Sequence, residues 1–120
     1  MKKATNVKVG DVIQFPHHCF ASGRKGWNGW TFKAGIVEKL YTNKNGLKIA
    51  TVKYCTKRAS RYALLPNVEA INNIQVDLLF EYDIDFAQQE YLDGIECEKN
   101  GDKVCWTEDI ALLVNHGIVK

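Results

Sequence analysis

Residues 9–54, VGDVIQFPHHCFASGRKGWNGWTFKAGIVEKLYTNKNGLKIATVKY, decide how this chain is read. They parse as one strand, a long decorated loop, and a two-stranded hairpin. Val9, Val12, Ile13 and Phe15 make a short strand entered through a Gly10-Asp11 turn. Pro16 is expected to stop it, because proline brings no N–H to a ladder. Stretches 35–41 and 47–54 are rich in Ile, Val, Thr and Tyr, with Asn43-Lys44-Asn45-Gly46 between them. Asn-Gly between apolar runs is a strong hairpin signal, since both residues tolerate positive φ. Loops of two and of four residues both fit, so the register stays open.

Working outward, residues 1–7 are polar and expected to be loose. Stretch 55–66, CTKRASRYALLP, is basic and reads either as a helical turn or as a loop running into a short strand. Residues 68–74 are a weak strand or a turn. In 78–86, Phe80, Tyr82, Ile84 and Phe86 alternate with Glu81, Asp83 and Asp85, a period of two that predicts a strand with one acidic face. Asp85 is then placed to cap a short helix through 90–92, with Gln88 completing a capping box and Gly94 ending it. Residues 95–106 read as a second hairpin about Asn100-Gly101, pairing Ile95 with Trp106 and Cys97 with Val104. Thr107 is placed to cap a final segment, 110–114, that is either helix or strand, and Gly117 ends it. About six short strands with tight turns and little helix imply one mainly β domain, a small closed or half-open barrel spanning 1–120.

Composition sets the outer bounds. A chain of 120 residues is the size of one domain, and 46% hydrophobic with 25% charged residues is an ordinary globular balance. No apolar run approaches the roughly 18 residues of a membrane span. The N-terminal MKKATNVKVGDV has no apolar stretch behind its lysines, so it does not read as a secretory signal, and a cytoplasmic location without membrane contact is expected. Cys19, Cys55, Cys97 and Cys105 form no close pair of the C-x-x-C kind and read as reduced thiols, the last three as small apolar residues on strands.

The formal net charge of +2 conceals a strong asymmetry. Residues 1–66 hold thirteen Lys and Arg against Asp11 and Glu38, a balance of +11, whereas residues 67–120 carry −9. One reading is a surface that faces a polyanion. The other is that the two halves fold together and compensate each other.

Candidate chemistry gathers in segment 16–33. Arg24, Lys25 and Lys33 lie among Trp27 and Trp30, with Gly23, Gly26 and Gly29 to let the backbone turn. Nucleic acid asks for that mixture: cations neutralise phosphate, and rings stack on unpaired bases for about 1–3 kcal/mol each. His17, His18, Lys57, Arg58 and Arg61 extend the candidate binding set. The bland alternative is that an indole plugs the barrel end and the loop only lids it. Adjacent His17, His18 and Cys19 are poor metal ligands, since neighbours on extended chain point apart and zinc sites prefer spaced pairs, so neither metal nor cofactor is expected. Paired carboxylates can do acid–base work or hold a divalent ion, but Glu81, Asp83 and Asp85 read better as a solvated strand face that also discourages edge pairing, with docking of a basic surface as a further use.

In order, GDVIQF, the Gly- and Arg-rich loop, KAGIV, a strand ending VKYCTKRAS, LLPNVEA and the closing TEDIALLV resemble the MazF/PemK toxin family. That resemblance implies a dimeric SH3-like barrel that cleaves RNA without metal. Phe32-Lys33-Ala34 stands where the family has Arg-Pro, and Thr56-Lys57 where it has Thr-Ser. Arg24 or Lys33 would supply the cation, Thr56 a hydrogen bond to phosphate, and His17 or His18 a base near neutral pH. The alternative, from another class, is a non-catalytic binding module. VKVGDVIQF with GIVEKL also resembles the KOW-type barrel, and a phage or mobile-element inhibitor gripping a protein target belongs to the same reading. RNA or another polyanion, an antitoxin or inhibited protein, and a second copy of the chain are the partners these readings imply.

Overall fold

Asp11 seeds the first strand. Its carboxylate accepts the Lys8 N–H at 2.8 Å, its own N–H reaches the Lys8 carbonyl, and Gly10 turns the chain at φ +94°. The computed structural model describes residues 1–18, 30–56, 68–104 and 106–120. It is mainly β, with strands β1 (Val12–His18), β2 (Trp30–Thr42), β3 (Lys48–Cys55), β4 (Glu69–Gln75) and β5 (Phe80–Glu81). A 3-10 turn, Val76–Leu78, leads into β5, and helices α1 (Ile84–Lys99) and α2 (Glu108–Asn115) follow. The five strands form one sheet in the order β4-β3-β2-β1-β5. Neither helix is long and apolar enough to cross a membrane. The chain divides into two compact units, Met1–Val52 with Asn72–Tyr82, and Lys53–Ile71 with Asp83–Lys120.

In the first unit β1 and β2 pair antiparallel without a bulge, from Val12 opposite Ile36 to His18 opposite Trp30. Both strands outrun the sequence reading. Pro16 does not end β1, and Trp30, Thr31, Phe32 and Lys33 belong to β2 instead of the loop. The phase of the ladder explains why proline is accommodated. The Val37 N–H donates to the Asp11 carbonyl at 2.9 Å, so odd-numbered β1 residues bond toward β2. Pro16 then faces away from β2, on the side where β5 pairs only with Ile13 and Gln14.

Residues 43–47 join β2 to β3, and inside the closing pair Asn43–Leu47 the turn itself is three residues long, neither two nor four. Gly46 donates to the Asn43 carbonyl, Asn43 donates to the Leu47 carbonyl, and Gly46 alone takes a positive φ, +80°. This is a type I turn followed by a left-handed glycine. The Asn43 side chain holds it by accepting from Asn45 and Leu47 at 2.9 and 3.0 Å. The N-terminal residues are not loose either: Lys3 bridges to Phe80, and Glu81 N–H donates to the Lys2 carbonyl.

Residues 78–106 depart most from the sequence reading. The strand expected over 78–86 shrinks to Phe80–Glu81, and the hairpin expected over 95–106 is helix up to Lys99. The same residues satisfy a period of 3.6. Ile84, Ala87, Gln88, Tyr91, Gly94, Ile95 and Glu98 form the inner stripe of α1, while Phe86 lies outward, 63% exposed. Asp83, rather than Asp85, is the cap, accepting from Phe86 N–H at 3.0 Å. Asn100-Gly101 is the helix stop: Asp102 N–H reaches the Cys97 carbonyl, Gly101 N–H the Glu98 carbonyl, and Gly101 has φ +91°. Glu81, Asp83 and Asp85 therefore share no strand face, and Cys97 is exposed on a helix, whereas Cys55 is buried on β3 as expected. Cys19 and Cys105 lie outside the described residues. Thr107 does cap α2, accepting from Ile110 N–H, and Gly117 ends it at φ +72°, so the ALLV segment is helix.

Gly94 sits inside α1 because Trp106 lies on it. The indole is 4% exposed, stacks at a tilt against Tyr91 with centroids 5.2 Å apart, and donates to a Glu98 carboxylate oxygen at 3.1 Å. A methyl at Gly94 would fall 2.4 Å from Trp106 Cη2. Gly94→Ala should lower the urea unfolding midpoint. The helix-propensity gain of about 1 kcal/mol is outweighed by overpacking, typically ~1–3 kcal/mol and larger for so close an approach. An unchanged or raised midpoint would show that the indole does not require glycine there.

Candidate nucleic-acid interface

Alternation along β1 and β2 sorts the candidate residues onto two faces. Directly opposed residues project to the same side of a sheet. Lys33 stands opposite Phe15, Gly35 opposite Ile13, and Phe15 and Ile13 are buried. Lys33 therefore projects on the core side and is only 8% exposed. His17 shares that side, half-buried, with its ring edge-on to Phe15 at 6.2 Å. Its cross-strand neighbour is Thr31.

The other face carries Trp30 and Phe32. Phe32 opposes Pro16 and meets Phe80 of β5 edge-to-face, with centroids 5.5 Å apart. Phe80 is itself aligned with Gln14, whose amide donates to the Glu81 carbonyl at 2.9 Å and braces β5 against β1. Trp30 is 55% exposed and Phe32 39%. Exposed apolar area of this kind, on two aromatics two residues apart on one strand, is the sort that marks a contact surface. Sequence reasoning singled out Trp30 but missed Phe32 and Phe80. The available signal was W-x-F, whose period of two was hidden by placing both residues in a loop.

A second feature of this unit lies at the far end of β2. A groove of 420 Å³ is lined by Tyr41, Thr42, Lys48, Ile49 and Asn6 among others. Lys39 Nζ stands 5.3 Å from the Tyr41 ring centroid. The groove brings one cation, Lys48, and the Tyr41 ring together, while Lys39 lies beside that ring without lining the groove.

Thr56 lies just past β3 in the second unit. Its hydroxyl donates to the Val68 carbonyl at 2.8 Å and its N–H to the same oxygen at 2.7 Å. Thr56, just past β3, is thus tied to Val68, the residue before β4. Of the remaining candidates, Arg24, Lys25, Trp27, Lys57, Arg58 and Arg61 lie outside the described residues. His18 closes β1 opposite Trp30. Lys33 belongs to the first unit and Thr56 to the second. Among the described residues no group of three or more His, Cys, Asp or Glu side chains could hold a metal ion.

The Thr56 clasp has a testable consequence. Thr56→Val should lower stability by about 0.5–1.5 kcal/mol, the usual net value of one hydrogen bond, and Thr56→Ser should restore it. Equal urea midpoints for Val and Thr would show the hydroxyl to be idle. Against known proteins, no family model, curated protein or solved structure matches the chain.

Proposed function

We propose that this protein binds single-stranded nucleic acid, RNA in particular, on the sheet face that bears Trp30, Phe32 and Phe80. The observation that carries the reading is the exposed W-x-F pair on β2, braced from beside by Phe80. Side chains two apart on a strand stand about 6.6 Å from one another, so each ring can take a base. Sheet-borne aromatics serve this purpose in other RNA-binding modules. The cations come from the same half of the chain, where the balance is +11, and Arg24, Lys25 and Trp27 belong to the segment that joins His18 to Trp30. The strand order, with a helical turn leading to a fifth strand beside the first, supports an SH3-like reading.

Binding is favoured over cleavage. The MazF/PemK resemblance would make Arg24, Lys33 and Thr56 the catalytic set, yet Lys33 is buried beside Phe15 and the Thr56 hydroxyl is engaged by Val68. Neither is presented as a phosphate-activating group needs to be.

Fluorescence anisotropy with a labelled single-stranded RNA tests the proposal. Affinity should fall linearly in a log–log plot against salt, as phosphate contacts release counterions. Removing two stacking rings in Trp30→Ala/Phe32→Ala should weaken binding at least about tenfold, from ~1–3 kcal/mol per ring. Unchanged affinity in the double variant would reject this face as the site. RNA that is cut by the wild type and spared by Arg24→Ala would replace binding with the endoribonuclease reading.

A further inference from the structure

We infer that the groove at the far end of β2 is a second binding site, one that takes a single nucleotide with its base against Tyr41 and its phosphate on Lys48. The site is separate from the aromatic face of Trp30, Phe32 and Phe80. Tyr41 lies eleven residues beyond Trp30 on β2, about 36 Å along an extended strand. All the residues that line the groove belong to the first unit.

Size sets the class of ligand. A volume of 420 Å³ lies near the lower end of the roughly 300–1,000 Å³ of small-molecule sites, which suits one small molecule rather than a folded partner. The lining sets its chemistry. Ile49 and Val76 supply apolar wall, Tyr41 a partly exposed ring, Asn6 an amide, Thr42 a hydroxyl and Lys48 an ammonium. Among the described residues no carboxylate lines the groove, and Lys39 adds a second positive charge 5.3 Å from the Tyr41 ring centroid. A cationic ligand is therefore repelled, and an anion with a flat body is favoured. Among the described residues no hydrogen bond or ion pair engages the Asn6 amide, the Thr42 hydroxyl or Lys48 Nζ, so all three are left for a ligand. A ring to stack on, an amide with donor beside acceptor, and a cation are together what a base and its phosphate require.

The walls are in place before a ligand arrives. Asn6 is the one described non-glycine residue with a left-handed backbone, at φ +53°. That conformation is uncommon outside glycine and persists where the surrounding structure holds it. Here Ala4 N–H donates to the Leu79 carbonyl at 2.9 Å and Gly10 N–H to the Val37 carbonyl at 2.7 Å, so Asn6 turns between two anchored points. Thr42 and Lys48 flank the hairpin turn that the Asn43 side chain holds. Preformed walls spare a ligand the cost of ordering them.

Amide chemical shifts of the isotope-labelled full chain, titrated with adenosine monophosphate, are the test. The Asn6, Tyr41, Thr42 and Lys48 amides should shift together and saturate. Adenosine, which lacks the phosphate, should bind at least about tenfold more weakly, through loss of a charge-assisted bond. Lys48→Gln should erase the difference between the two ligands, and Tyr41→Ala should weaken both about tenfold through the lost stack. Trp30→Ala/Phe32→Ala should leave nucleotide affinity unchanged, which keeps this site distinguishable from the aromatic face. An RNA with a terminal phosphate that shifts the same amides at lower concentration than the mononucleotide identifies an RNA end as the source. One that leaves them unmoved identifies the free nucleotide. Unmoved groove amides in the adenosine monophosphate titration, or inorganic phosphate bound as tightly as the nucleotide, would overturn the inference. So would Lys48→Gln and Tyr41→Ala variants that keep native spectra and bind like wild type.

Discussion

The bulge-free pairing of β1 with β2 is the constraint on which the proposed interface depends. A strand presents its side chains with a period of two, so one register assigns every residue to a face. Phe15 and Ile13 are buried, which draws Lys33 inward and leaves Trp30 and Phe32 outward. A slip by one residue would bury the two rings and expose the lysine. The Asp11 turn starts the ladder in phase: Gly10 N–H donates to the Val37 carbonyl, and Val37 N–H donates to the Asp11 carbonyl. A local turn thus determines which chemistry reaches the surface some six residues later.

The second unit answers to a different contact. Trp106 lies across one face of α1, touching Tyr91, covering Gly94 and bonding to Glu98, residues spaced by whole turns of a helix. That contact explains how a glycine stands in the interior of a helix, where it is intrinsically unfavourable. It also leaves the acidic residues Asp85, Glu90, Asp93 and Glu96 on the exposed side. The acidic side of α1 faces solvent, but Lys53, Lys57, Arg58 and Arg61 belong to the same unit, so the two charged halves of the sequence are not the two compact units.

For function, the distinction that matters is between groups placed to touch a ligand and groups used to hold the fold. Lys33 and Thr56 attract attention in the sequence because a cation and a hydroxyl are what phosphate chemistry needs. In the fold one is a core-side residue and the other a clasp. Phe32 and Phe80, which the sequence did not mark as site residues, meet edge-to-face on the opposite side of the sheet from Lys33.

Short-range chemistry was legible in the sequence: the Gly10-Asp11 entry, the hairpin about residues 43–46, the Thr107 cap, the Gly117 stop and the mainly β character. Each rests on interactions within a few residues, which local sequence encodes directly. What only tertiary structure decided was the period for residues 80–99 and the face for residues 30–33. Phe80, Tyr82, Ile84 and Phe86 fit a strand by their own pattern, and it took the Trp106 indole, packed on Gly94 and Tyr91, to reward a helix. Asn100-Gly101 is equally at home in a hairpin and at a helix end, because both need a residue with positive φ. Likewise Pro16 ends a strand only where its missing N–H is wanted, and that depends on where β5 stops.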